Sequence, residues 1–159
     1  MILVLHNIRS VYNVGAILRT AEGFGVDKVI CSGYTPYVSR PGILPHVAEK
    51  LEKQISKSAV GAEKLIEINW CDDIVKFLED FSGKVVGLEN NLPKTVALSE
   101  AKKLLNDKDF ALVLGEEVKG IPEEVRKVCD FFVEIPMRGQ KESFNVSVAA
   151  GIAMYELNS

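Results

Sequence analysis

The chain has 159 residues, 47% apolar and 26% charged, with a formal net charge of −3. Such a length and apolar content can bury one substantial core and predict a single domain, while the acidic balance excludes a protein that coats nucleic acid through general electrostatic attraction. No stretch reaches the roughly 18 uninterrupted apolar residues of a membrane span, and the N-terminus opens directly into Met1-Ile-Leu-Val-Leu5 without a basic leader, so a cytoplasmic protein with no membrane partner is expected.

Short Val- and Ile-rich runs alternate with segments of helical period, which predicts an α/β fold with a parallel sheet covered by helices. The first strand is expected at Ile2 to Leu5. A helix follows from about Val14 to Gly25, with Asn13 as N-cap. It places Val14, Ile17, Leu18 and Ala21 on one stripe and Arg19 well off it. The second strand is Lys28 to Cys31. The segment Gly33 to Ala48 then carries Tyr34, Tyr37, Arg40 and His46 with no acidic residue, a composition that fits RNA phosphates and bases or an ordinary Pro-rich surface loop.

Further along, Val47, Leu51 and Ile55 read as the core face of a second helix, and Leu65 to Asn69 as the third strand. Ile74, Phe77, Leu78 and Phe81 form the next helical series, followed by strands at Lys84 to Leu88, Ala111 to Leu114 and Phe131 to Ile135. Between the last two strands, Pro122 with Glu123 and Glu124 marks a helix start. The closing helix is different, because Phe144, Val146, Val148, Ala149, Ile152, Ala153, Met154 and Leu157 surround its whole circumference. A helix apolar on all sides must be covered on all sides. Its small residues Ala149, Ala150, Gly151 and Ala153 admit a close neighbour, so a homodimer is expected.

Cys31, Cys71 and Cys129 are isolated, without the spacing of a disulfide framework or a metal site, and no metal is expected. Gly23-Phe-Gly25 ends a helix and lacks the third glycine of a dinucleotide fingerprint. The chain has neither a phosphate-cradling P-loop nor a serine elbow. His6 and His46 are its only imidazoles, and a lone histidine of this kind is more often structural than catalytic. Three loops remain, His6 to Asn13, Gly115 to Gly120 and Pro136 to Asn145. Each follows a predicted strand, so they can meet beyond the strand ends as one pocket.

At these loops the sequence resembles the SpoU family of the SPOUT class, the TrmH-like RNA 2′-O-ribose methyltransferases. The first motif is Asn7-Ile-Arg-Ser-Val-Tyr-Asn13-Val-Gly15-Ala-Ile-Leu-Arg19-Thr, and the second is Leu114-Gly115-Glu-Glu117-Val-Lys-Gly120-Ile-Pro122. The third is Ile135-Pro136-Met137-Arg-Gly139-Gln-Lys-Glu-Ser143-Phe-Asn145-Val-Ser147. Each alone is weak, whereas the three in this order are specific and span essentially the whole chain. Glu116 and Phe144 depart from the commoner family residues.

The resemblance implies a catalytic domain of residues 1–159 with no appended RNA-binding domain, and a C-terminal deep trefoil knot. It implies S-adenosylmethionine as cofactor, held by Leu88, Glu89, Leu114, Gly115, Ile135, Pro136, Met137, Ser143, Asn145, Val146 and Ser147. Arg19 is implied as the central catalytic residue, with Asn13, Glu117, Ser143 and Asn145 arranging the pocket. Gly115, Gly120 and Gly139 then read as points of close backbone approach or positive φ. RNA contacts are expected from Asn7, Arg9, Arg19, Tyr37, Arg40, Arg138 and Lys141, with tRNA favoured over rRNA as substrate. The competing expectation is a non-catalytic RNA-binding protein with the same fold, separable by whether methyl transfer follows cofactor binding.

Overall fold

A computed structural model describes residues 1–105 and 109–158. Seven parallel strands form one sheet in the order β3-β2-β1-β6-β4-β7-β5: β1 Ile2–His6, β2 Lys28–Ser32, β3 Glu67–Cys71, β4 Lys84–Leu88, β5 Val96–Ala97, β6 Phe110–Leu114 and β7 Phe131–Glu134. Strands β1 and β6 are central and adjacent, with Val4 opposite Val113. Both faces of this pair are covered, which is why they read as unbroken apolar runs instead of alternating ones. Leu3, Leu5, Leu112 and Leu114 face one layer, and Val4, Ala111 and Val113 the other.

The first layer contains α1 (Val11–Gly23), α2 (Pro45–Ala59) and α6 (Val146–Asn158), with α1 packed against both of the others. The opposite layer is built by α3 (Ile74–Glu79) and α5 (Glu123–Arg126), whose Ile74, Leu78 and Val125 cover the sheet. A short α4 (Leu98–Ala101) follows β5. Replacing a fully buried side chain such as Leu112 by Ala costs about 2–5 kcal/mol in such a core.

Four local expectations change. The N-cap of α1 is Ser10, whose hydroxyl accepts the Asn13 N–H at 3.3 Å, so the helix begins before Asn13 and leaves the Asn13 amide free for other work. The third strand lies two residues beyond its expected place, because the chain first makes a 3-10 turn at Ala62–Lys64 that leaves Leu65 74% exposed. In α2 the buried residues are Ile55 and Ala59, while Val47 faces solvent. Finally, α6 buries Ala150, Ala153, Met154 and Leu157 within its own chain, and a second apolar row with Phe144, Val148 and Tyr155 stays exposed.

Candidate active site

The chain runs β1-β2-β3 outward on one side of the centre, whereas β6, β4, β7 and β5 lie on the other. The strand order therefore reverses between β1 and β6, and open α/β sheets bind ligands beyond the carboxyl ends of their strands near such a reversal. A cavity of about 200 Å³ lies at the ends of β4, β6 and β7. Leu88, Leu114, Ile135, Phe144, Val146 and Ala149 supply its apolar wall, and Glu89, Glu116, Glu117 and Glu142 supply its charge. Among the described residues no Lys or Arg lines it.

Glu117 is the hub of the polar framework. Its carboxylate accepts the Arg9 N–H at 3.0 Å, the Ser10 N–H at 3.3 Å and the Asn13 side-chain amide at 2.9 Å. Burial pushes its pKa up, but these donors outweigh burial and hold the carboxyl below its ordinary value. Asn13 in turn accepts the Asn145 amide at 3.3 Å through Oδ1. Asn145 then accepts the Ser147 N–H at 2.9 Å and its hydroxyl at 2.6 Å, which secures the start of α6. Residues more than a hundred positions apart are thereby joined in one chain of hydrogen bonds across all three motifs.

Two glycines allow the second motif to fold. A Cβ at Gly115 would collide with the Gly120–Ile121 peptide, which closes the turn through the Glu116–Gly120 bridge. Gly120 has φ +70°, and its Cβ would strike the Glu89 carboxylate. Gly139 meets neither demand, so it is a plain turn glycine and not a point of close approach. Glu89 accepts the Ile121 N–H at 2.7 Å, and burial raises its carboxyl against the lowering effects of that bond and of Arg126.

Of the expected cofactor residues, Leu88, Glu89, Leu114, Gly115, Ile135, Ser143 and Val146 line the cavity. Asn145 and Ser147 sit behind it in the hydrogen-bond framework, while Pro136 and Met137 continue the chain from Ile135 outside the lining. Asn90 was not anticipated. Its amide donates to the Ile135 carbonyl at 3.1 Å and the Glu142 carbonyl at 3.2 Å, and its Oδ1 accepts the Ile135 N–H. An Asn-Asn pair one residue after the end of a buried strand, with Asn91 at φ +62°, is the sequence signal that marks this clamp.

Arg19 does not join the group. It lies six residues beyond Asn13, which on an α-helix is about 9 Å along the axis and about 120° around it. Its side chain is exposed and has no ion pair among the described residues. The expected RNA contacts are similarly mixed. Arg9 is exposed but paired with the buried Glu116 at 3.5 Å. Asn7, at φ +61°, uses its Oδ1 to accept the Tyr34 N–H at 3.1 Å. Tyr37 packs against the core and donates its hydroxyl to the Ile68 carbonyl at 2.9 Å. Arg40 lies over the Trp70 ring at 5.2 Å, and Arg138 and Lys141 are exposed on the loop after β7.

His6 meets the Ser32 hydroxyl at 2.8 Å and the Asn7 amide at 3.1 Å, and burial lowers its pKa, which is the structural role expected of it. Cys31 is buried, and its thiol is pushed up to about 12 by burial. Among the described residues no cluster of His, Cys, Asp and Glu is placed to hold a metal, and no helix is long and apolar enough to cross a membrane.

A parallel α/β sheet with a cavity beyond its carboxyl ends, walled by loops from three distant segments, is the arrangement of a ligand-binding protein of the open-sheet class. The chain belongs to the SpoU rRNA methylase family, whose model matches residues 1–155. It is 31% identical to the 23S rRNA (guanosine-2′-O-)-methyltransferase of Coxiella burnetii over 99% of this chain and 57% of that protein. Among solved structures it resembles the TrmH/SpoU tRNA modifying enzyme of A. aeolicus, with 26% identity and a TM-score of 0.79 over 99% of this chain and 73% of that one. A structure described for 2-OH methylation of C/U34 on tRNA aligns at 26% identity and a TM-score of 0.75, covering 98% of this chain and 92% of that one. The chain spans 57% of the length of the first curated relatives it matches.

Proposed function

We propose that this chain is an S-adenosylmethionine-dependent RNA 2′-O-ribose methyltransferase that acts on tRNA as a homodimer. The observation that carries this reading is the hydrogen-bond chain Glu117–Asn13–Asn145, which ties the first motif to the second and third motifs, whose residues line the cavity. The cavity suits the cofactor: its apolar wall matches an adenine, and its acidic lining, even with Glu116 paired to Arg9, matches a cationic sulfonium compound. tRNA is favoured because the relative matched over 92% of its length is one described for tRNA, whereas the rRNA enzyme of Coxiella burnetii is matched over 57%.

When bound, S-adenosylmethionine supplies a methyl group already activated by its sulfonium. The protein's task is to orient the ribose hydroxyl and to ease loss of its proton as the O2′–CH₃ bond forms and the S–CH₃ bond breaks. Glu117 is held ionised by three N–H donors, so it fixes the loops instead of exchanging protons. The Arg19 guanidinium acts by gripping a phosphate and stabilising the emerging alkoxide, with a phosphate oxygen as proton acceptor. Since Arg19 faces away from its own Asn13, a second copy brings it to the site. The exposed Val148 and Tyr155 on α6, with Phe144 just before it, support that pairing. The expected knot belongs to the same reading, with Asn90 holding the 135–142 segment at both ends.

The test is incubation with methyl-labelled donor and separate tRNA and rRNA pools, followed by nuclease digestion and mass spectrometry. A 2′-O-methyl nucleotide gained in tRNA is expected. A mark confined to rRNA overturns the substrate, and donor binding without transfer to either pool overturns the enzyme.

A further inference from the structure

The outer flank of α2 carries a feature that the site leaves unused. On a wheel of 3.6 residues per turn, His46, Lys50, Lys53 and Lys57 fall within a sector of about 60°, and the row runs about 16 Å along the axis. Glu49 and Glu52 fall outside that sector, and the buried face belongs to Ile55 and Ala59. All four row residues are exposed, and together with Glu49 and Gln54 they line an open groove of about 410 Å³. Lys53 is paired with Glu49 at 2.7 Å, whereas Lys50 and Lys57 have no ion pair among the described residues. In a chain of net charge −3 this row is a local concentration of positive charge, not a sample of the average surface.

A second groove, of about 430 Å³, lies beside the row, along the edge of the same helix that carries Val47 and Leu51. Tyr34, Pro36, Arg40, Leu44, Val47 and Leu51 contribute to it, and Tyr34, Leu44 and Val47 are 47%, 58% and 37% exposed. Tyr34 also connects this groove to the candidate site, since it faces Glu116, which lines the cavity, and its N–H is held by Asn7 of the first motif. A cationic rail beside flat apolar and aromatic surface is the two-part arrangement that holds a single strand of nucleic acid, phosphates on one part and bases on the other.

We propose that the outer face of α2 and the groove beside it form a second RNA-contact surface, which takes the single-stranded flank of the substrate as it leaves the site past Tyr34. Lys50, Lys53 and Lys57 meet successive phosphates, and Tyr34, Leu44 and Val47 receive a base. This rests on the RNA methyltransferase reading. It extends that reading to residues outside all three motifs.

The test is the triple variant Lys50→Ala, Lys53→Ala, Lys57→Ala, compared with the parent chain by fluorescence anisotropy on a labelled single-stranded RNA between about 50 and 200 mM salt. Each phosphate contact contributes about 0.7 to the slope of log affinity against log salt for a single strand, so a loss of about 2 in slope and at least about tenfold in affinity is expected. Thermal unfolding and calorimetric S-adenosylmethionine binding stay unchanged, because the three side chains lie outside the core and the cavity. An unchanged slope, or a parent chain that binds no RNA at the lowest salt, overturns the proposal. So does equal, triple-sensitive binding of poly-glutamate or anionic vesicles, which would make the row a general anion surface. If the triple variant loses RNA affinity as expected but the parent transfers no methyl group, the surface stands and the enzymatic reading falls. If methyl transfer proceeds in the variant with an unchanged KM for RNA, the reverse holds.

Discussion

Helices α2 and α6 flank α1 on the same side of the sheet, yet they leave different faces uncovered. On α6 the uncovered row is apolar, with Val148 48% and Tyr155 63% exposed, and lies opposite a face fully packed in its own core. On α2 the uncovered row is basic and its apolar residues are pushed to one edge. Exposed apolar surface gains most by meeting its like, so the α6 side suits a second copy. Exposed lysines gain by meeting phosphate, so the α2 side suits RNA. On the proposed reading the two flanks of α1 serve different partners, with the candidate site at the start of α1 between them.

The largest expected effect is at Val148→Glu, which should place a charge in the α6 face, turn the dimer into monomers by analytical ultracentrifugation, and cut methyl transfer by at least about 100-fold while circular dichroism stays native. A fully active monomer would break the comparison. Ala153→Glu is a poor substitute, because Ala153 is buried in its own chain and the variant should fail to fold. Next, Arg19→Ala and Asn145→Ala should each lose most transfer alone, the first keeping calorimetric donor binding. Mixing the two should restore up to about a quarter of parental activity if Arg19 acts across the pair, because mixed dimers hold one intact site. No recovery on mixing would place Arg19 in its own subunit's site.

Smaller effects sharpen the account of the loops. Gly115→Ala should lower stability by about 1–3 kcal/mol in denaturant titration, because the Gly120–Ile121 peptide cannot move without breaking the Glu116–Gly120 bridge. Glu117 has a depressed pKa when folded, so its stabilising contribution is complete above the unfolded value of about 4.3 and is lost as pH falls through the lower folded value. Glu117→Gln should therefore reduce stability at pH 7 and flatten its decline between about pH 5 and 3, read as Tm across that range; an unaltered decline would remove Glu117 from the hub. The smallest effect is at Gly139→Ala, which should change stability by no more than about 0.5 kcal/mol.

The buried strands were legible because a parallel strand covered on both faces cannot alternate, and Leu3-Val4-Leu5 and Ala111 to Leu114 do not. Edge strand β3 was misplaced because Leu65 looks like core and is not, and two-residue β5 carries no period to detect. The motif residues were visible, but their pairing was not. Ser10 and Asn13 are both good cap residues, and only the approach of Glu117 from 104 positions away decides that Asn13 serves the site while Ser10 serves the helix. Asn90 was missed for a related reason: its three partners lie on a segment 45 to 52 residues downstream.

The central position of β1 also bears on how the chain is made. One edge of β1 is satisfied early by β2, but the other waits for β6, whose Ala111 pairs with Ile2. At about 5–20 residues per second the ribosome leaves that apolar edge unpaired for roughly 5–20 seconds. An open strand edge of this kind is a template for wrong pairing. The nascent protein therefore passes through a period in which a strand that is central and largely buried in the finished fold has an open edge, and shielding by chaperones would matter most before Leu114 emerges.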